Sequence, residues 1–270
     1  MAEGGAAASD AAQAFLSGLH TDWDARAAGL KSVSTSIRVA LVGPDGGSRN
    51  LLVVVKYRAP ADLRLVLLAD MFTLADALVT GRELSVFIPI AQRNYRGAMP
   101  GTVSGTAVLP EMAGLGWLQS AGALRETLSG AAPLPSEPGR MAATPANRSD
   151  ADWIVTVQSA AGSTERRYFV RSSDRAIARA EFFDGGKLTL AVEGRDFRND
   201  GGGVRPYRLT LTPADEKGRA VLQFQEIKRN AYQDPKTYVH AFSSEVSVAP
   251  LEQILADRKE WEAMAGGVGK

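Results

Sequence analysis

Apolar and polar positions alternate with a period of two through RNLLVVVKYRAPADLRLVLLADMFTLADALVTGRELSVFIPIAQRNYRG, residues 49–97, and turn signals cut the run into consecutive strands. Leu51, Val53, Val55 and Tyr57 share one face. Leu52 and Val54 on the opposite face are apolar too, so the pattern asks for cover on both faces over part of the strand and leaves room for an interface on the second. Strands are predicted over 33–42, 50–58, 62–68, 72–79 and 83–88, separated by PDGG (44–47), APAD (59–62) and Thr80-Gly81, with antiparallel hairpins as the economical pairing. A second meander is predicted from Trp153. Its strands WIVTVQS, TERRYFVR, AIARAEFF, KLTLAVEGRDF, RPYRLTLTP and RAVLQFQEIKR are parted by AAGS, SSD, DGG, NDGGG and ADEKG.

Ahead of the first meander, Phe15, Leu16, Leu19, Trp23, Ala27 and Leu30 recur at helical spacing, which predicts an amphipathic helix over 11–30 capped by Asp10. Residues 99–152 are rich in Gly, Ala and Pro. One helix is predicted within 109–130, with Trp117, Leu118, Ala121, Leu124 and Leu128 along its apolar stripe, and PLPSEPGR (133–140) reads as a connection. From Pro250, PLEQILADRKEWEAM predicts a short closing helix that carries Leu251, Ile254, Leu255 and Trp261. The fold class is α+β, with a flexible leader over 1–10, one domain over 11–248 and a tail over 249–270.

A chain of 270 residues is long enough for one large all-β or α+β domain, and a hydrophobic content of 45% rules out a disordered chain. A net charge of +1, without any arginine-rich helix interleaved with aromatics, speaks against nucleic-acid binding and leaves only a weak local attraction to anionic lipid. There are no cysteines, which excludes a thiol nucleophile, a cysteine-ligated metal and a disulfide framework. The N-terminal MAEGGAAASDAAQ lacks a basic region followed by an apolar core, so neither a signal peptide nor a transmembrane helix is predicted there. Such a leader suits a tether after an acylated residue, or a trimmed start.

Candidate chemistry is sparse. His20 and His240 are the only histidines, so a multi-histidine metal site cannot form, and both read as structural or exposed. Ser104 lies in GTVSG (101–105), which misses the G-x-S-x-G spacing by one position, and no serine stands in an S-x-x-K arrangement. No base and nucleophile can be nominated as a pair, and no catalytic residue, metal site or cofactor is expected. Gly201 to Gly203 open no helix and read as a hairpin turn, while Glu193, Asp196 and Asp200 sit in a strand and turn that favour solvated carboxylates over a cation site. Within LPEMAGLGWL (109–118), Met112, Leu115, Trp117 and Leu118 suit either packing against the sheet or an apolar lid that touches lipid.

The order of segments (amphipathic helix, meander, helical insertion, second meander) resembles the LolA/LolB-like superfamily of bacterial lipoprotein-sorting and lipid-binding proteins, over about Phe15 to Val248. YRAPADLRL (57–65) is similar to the family's step from strand through Pro into an Arg-bearing strand. ALVTGRELSVFIPIAQRNYRG (77–97) is similar to its glycine-turn hairpin ending in a Pro and an aromatic. RPYRLTLTP with RAVLQFQEIKRNAYQDPKTYVHAF (205–242) resembles the closing strands of the LolB-like or related outer-membrane lipoprotein branch. The chain departs from the short carrier members by its length, its Pro-rich insertion and its C-terminal tail.

The resemblance implies a strongly curved antiparallel sheet, an unclosed β-barrel, with helices covering its concave side and an apolar cavity between them. It implies a non-enzymatic protein that binds or transports lipid or lipoprotein acyl chains in the bacterial periplasm or on the periplasmic face of the outer membrane. The signal sequence and any lipidated Cys of such a protein are absent from this chain. The expected partners are lipid or an acylated lipoprotein, another envelope protein, and a membrane touched peripherally or through a lipid anchor, with no nucleic acid. Cavity candidates are Val53, Val55, Leu65, Leu67, Phe72, Leu74, Leu84, Val86 and Phe87, and lid candidates are Met112, Leu115, Trp117 and Leu118. Alternation alone does not say which sheet face lines the cavity. Two alternatives stay open: a partner-binding envelope lipoprotein whose cavity is filled by side chains, and, more weakly, a hydrolase without a recognisable motif.

Overall fold

The alternation of the first meander is realised as β1 (Ser32–Val42), β2 (Ser48–Arg58), β3 (Asp62–Ala69), β4 (Phe72–Thr80) and β5 (Glu83–Ile88). The computed structural model describes residues 3–98, 130–132, 140–240, 246–254 and 257, apart from 61, 70–71, 82, 160–161, 163 and 216–217. The segment predicted as a helix at 109–130 therefore lies outside the described residues except for Gly130, as do Ser104 and the lid candidates Met112, Leu115, Trp117 and Leu118. No helix among the described residues is long and apolar enough to cross a membrane.

The second meander supplies β8 (Trp153–Gln158), β9 (Thr164–Val170), β10 (Ile177–Asp184), β11 (Lys187–Asn199), β12 (Val204–Pro213) and β13 (Arg219–Arg229). Three strands were not predicted: β6 (Arg93–Ala98), β7 (Met141–Pro145) and β14 (Ser247–Pro250). All are short, and Arg93–Ala98 and Met141–Pro145 carry too few apolar positions to show alternation. The fourteen strands form one unclosed, mostly antiparallel sheet, in the order β14-β6-β5-β4-β3-β2-β1-β13-β12-β11-β10-β9-β8-β7. Its one parallel register among those resolved joins β14 to β6, from Ser247 opposite Arg93 to Pro250 opposite Arg96. Cover on the sheet from several helices was expected. Among the described residues there is a single α-helix, and the predicted tail helix is represented by a 3-10 turn at Leu251–Ile254.

The described residues divide into two compact units. The first holds α1 (Glu3–Gly29), the tip of the β1–β2 hairpin, β7 to β12 and the start of β13. Its helix begins well before Asp10, which is therefore a mid-helix residue and not the predicted cap: the alanines at 6–8 have the highest helix propensity and carry the helix on toward the N-terminus. Leu16, Leu19 and Trp23 fall on one stripe and pack on Val155, Val157, Tyr168, Val170 and Ala180 of β8, β9 and β10. Trp23 sits edge-on to Tyr168 with ring centroids 6.0 Å apart, and its Nε1 donates to the carbonyl of Arg175 at 3.1 Å. Phe15 stacks on Trp153 at 4.9 Å.

Arg26, one turn further along α1, pairs with Asp22 at 2.7 Å and donates to the carbonyls of Asp174 and Val204. The glycine triplet is the predicted turn between β11 and β12. Gly203 stands there at φ +117, where a Cβ would lie 2.7 Å from the Arg26 guanidinium carbon, so both the backbone angle and the close approach require glycine. Asp200 departs from expectation. Its side chain is 1% exposed beside Arg205, itself 3% exposed, at 3.7 Å, so it is a buried carboxylate and not a solvated one.

The second unit holds most of β1 and β2, all of β3 to β6, the end of β13, and β14. Its registers align Val53 with Leu67, Val55 with Leu65, Leu65 with Ala77, Ala77 with Val86 and Val86 with Tyr95, so these side chains form rows across one sheet face. The reverse face carries Lys56, Arg64, Asp76, Ser85, Phe87 and Asn94 at the alternate positions.

Candidate functional site

The apolar face of the second unit is the first feature of the site. Val53, Val55, Leu65, Leu67 and Val86 are all buried, as are Ala75, Ala77, Val79 and Ile88 on the same face. Leu84 joins them through its register with Val79 and is half-buried. The alanines at 75 and 77 leave the middle of this surface low, between leucines on β3 and Val86 on β5. The other three predicted cavity residues stand elsewhere. Phe87 pairs with Asp76 and points to the reverse face. Leu74 falls at the register shift between β3 and β4, and Phe72 at the start of β4 is 67% exposed. A bulge of this kind breaks the period of two, which is why alternation could not place Leu74 and Phe72 with the rest.

The reverse face carries a buried chain of polar side chains that sequence reading did not nominate. Arg64 grips Asp76 with two nearly parallel bonds, Nε to Oδ1 at 3.0 Å and Nη2 to Oδ2 at 2.6 Å. Asp76 Oδ1 lies 3.3 Å from His240 Nε2, His240 Nδ1 lies 3.0 Å from Ser85 Oγ, and Ser85 Oγ donates to Asn94 Oδ1 at 2.8 Å. Burial pushes the Asp76 carboxyl up, but the hydrogen bonds from His240 and Arg64 outweigh it and hold that group below the usual carboxylate range.

Serine, histidine and aspartate in contact invite comparison with a hydrolytic triad, and the wiring argues against one. Ser85 Oγ directs its proton to Asn94 Oδ1, whereas an activated nucleophile hands its proton to the base. Ser85 is also buried, at 7% exposure.

The chain instead ties down the segment 230–240 that follows β13. Asn230 Oδ1 accepts from the backbone N–H groups of Lys31 and Ser32, at 2.8 and 3.2 Å, and Ser32 Oγ donates to the carbonyl of Ala231. Gln233 Nε2 bridges the carbonyls of Val33 and Tyr57, and Arg64 Nη1 donates to that of Thr237 at 2.9 Å. Tyr238, under the Arg58 guanidinium at 4.5 Å, donates its hydroxyl to Gln233. The strap is thus latched by side chains where it has no ladder to join.

Burial pushes the Tyr238 hydroxyl up to about 12, helped by Asp62 and opposed by Arg58. The unfolded chain would ionise this phenol near pH 10, so stability that is full below pH 10 falls as the pH rises toward 12. An ultraviolet titration of tyrosinate should include a late phenol that is missing from Tyr238→Phe, whose alkaline loss of stability should be shallower by that one proton. If the phenol missing from Tyr238→Phe instead titrates near pH 10, the hydroxyl is solvated.

No family model and no curated protein matches the chain by sequence. Solved structures do match in fold. A LolA superfamily protein from Nitrosomonas europaea superposes with a TM-score of 0.54 at 16% identity, over 81% of this chain and 96% of that one. A putative outer membrane lipoprotein-sorting protein domain from Vibrio parahaemolyticus gives 0.58 at 11% identity, over 85% and 97%. A DUF1329 family protein from Desulfovibrio piger gives 0.56 at 12% identity, over 82% and 97%. At such identities the likeness is one of architecture alone, and on that ground this chain has a LolA-like fold.

Proposed function

We propose that this protein binds lipid or lipoprotein acyl chains in the bacterial cell envelope, without catalysis, through the apolar face of its second unit. The observation that carries the reading is the unbroken apolar surface made by Val53, Val55, Leu65, Leu67, Leu84 and Val86 over the low alanine strip at 75 and 77. Each methylene moved from water onto such a surface is worth about 0.8 kcal/mol, so an acyl chain brings ample driving force even after ordering costs. The described side chains are already covered, so uptake requires that cover to move aside, and Met112, Leu115, Trp117 and Leu118 are the residues we assign to a lid. A fold shared with a lipoprotein-sorting domain supports a place in the periplasm or on the periplasmic face of the outer membrane.

Native mass spectrometry of gently purified protein, followed by denaturing extraction, tests this. A phospholipid, fatty acid or acylated peptide that co-purifies, and that rebinds after delipidation with a rise in melting temperature, is the expected result. An apo mass that persists after incubation with lipid, with no change in melting, overturns it.

That outcome would favour the second reading, an envelope protein that kept the open sheet, filled its cavity with side chains and docks a protein partner. The complete burial of Val53 and Val55 is the observation on its side.

A further inference from the structure

On the first unit, the sheet face opposite the one packed by α1 is laced with charge in which arginines and carboxylates neutralise one another. Arg167 bonds Glu165 at 2.6 Å, Arg179 holds Glu181 at 2.8 Å and Glu193 at 2.7 Å, Arg148 takes Asp150 at 2.8 Å, and Arg171 takes Asp174 at 2.8 Å. The exception falls between β11 and β12. Arg195 and Arg208 are direct cross-strand partners, both exposed, and neither meets a carboxylate among the described residues. Glu193, the adjacent acid on that face, is taken up by Arg179, and Asp196 by Arg198 at 2.6 Å.

Cross-strand partners stand about 4.5–5.5 Å apart at Cα, and like charges so placed repel. An unrelieved pair amid a face of relieved ones is a cost without return inside the fold. The geometry points to an anion site in which the Arg195 and Arg208 guanidinium groups together clasp a phosphate group. A tetrahedral oxyanion has enough oxygens to accept paired N–H bonds from two planar forks at once, and its charge removes the repulsion between them. Thr210, two residues on along the same face of β12, adds a hydroxyl beside the pair. The ligand class is a phosphate ester, either on a lipid headgroup or on a soluble molecule. This site is distinct from the apolar face of the second unit, and its success or failure is independent of acyl binding.

The test is a titration of the isotope-labelled full chain with inorganic phosphate, read by NMR at the Nε–H and backbone N–H signals of Arg195 and Arg208. It is repeated on R195Q/R208Q and on R167Q, whose arginine is already paired. Saturable shifts confined to the pair are expected, unchanged in R167Q and weakened about tenfold or more in R195Q/R208Q. Since that double variant relieves repulsion, it should melt no lower than wild type, so its loss of binding is not loss of fold. Co-sedimentation with phosphatidylcholine vesicles containing phosphatidic acid, absent without it and lost in R195Q/R208Q, would make the ligand a headgroup. Phosphate shifts without sedimentation would make it a soluble phosphate ester. No saturable shift, or an equal loss in R167Q, overturns the site.

Discussion

Trp23→Ala should lower the unfolding free energy by about 3–5 kcal/mol, the largest loss expected of any single truncation in the first unit. The side chain is 1% exposed, belongs to the stripe that α1 lays on β8, β9 and β10, and meets Tyr168 edge-on. Its removal opens a cavity and also takes a donor from the Arg175 carbonyl. Urea unfolding followed by circular dichroism measures the loss. Trp23→Phe keeps most of the packing and forfeits the hydrogen bond, so it should fall between wild type and Trp23→Ala. If Trp23→Ala moved the midpoint no more than an ordinary surface change does, α1 would not be part of the cooperative core.

The second large effect is expected at Asp76. Asp76→Ala leaves Arg64 and His240 facing each other without their shared acceptor, a situation that costs about 3 kcal/mol when the charges are well buried and less here, because Arg64 is partly exposed. The double variant Arg64→Met/Asp76→Leu should recover part of the loss, since an apolar pair leaves no charge stranded.

The pH dependence follows from the lowered folded-state pKa of Asp76. Its contribution is complete above the ordinary aspartate value of about 3.9 and is lost as the pH falls through the lower folded value. Wild type should therefore lose stability below about pH 4 more steeply than Asp76→Asn. Parallel acid profiles for the two proteins would show that the carboxylate is solvent-screened and the strap held by other contacts.

Much of the architecture is legible in the sequence. The period of two placed β1 to β5 and β8 to β13, because a sheet with a buried face imposes that period on its side chains. The 3.6-residue period likewise placed Leu16, Leu19 and Trp23 on one stripe of α1. The turn clusters marked hairpins correctly, down to the glycine triplet before β12. The start of α1 was misjudged because Asp10 looks like a cap, and a run of alanines overrides a single capping residue.

Alternation also grouped Val53 with Val55, Leu65 with Leu67 and Leu84 with Val86, each within its own strand, because those relations are local. Which strand faces which, and therefore which groups form one surface, came only with the register that sets Val55 beside Leu65 and Ala77 beside Val86. Leu74, Phe72 and Phe87 separated from them for reasons of bulge and pairing that a single strand does not encode. The parallel approach of β14 to β6, the meeting of Ser85 with His240 across 155 residues and the opposition of Arg195 to Arg208 belong to the same class. The sequence by itself determined the elements and the composition of their faces, since both follow from contacts between near neighbours in the chain. The polar chain and the latched strap arose only in the folded protein, because each joins segments far apart in the chain, and the opposition of Arg195 to Arg208 came with the register of the β11–β12 hairpin.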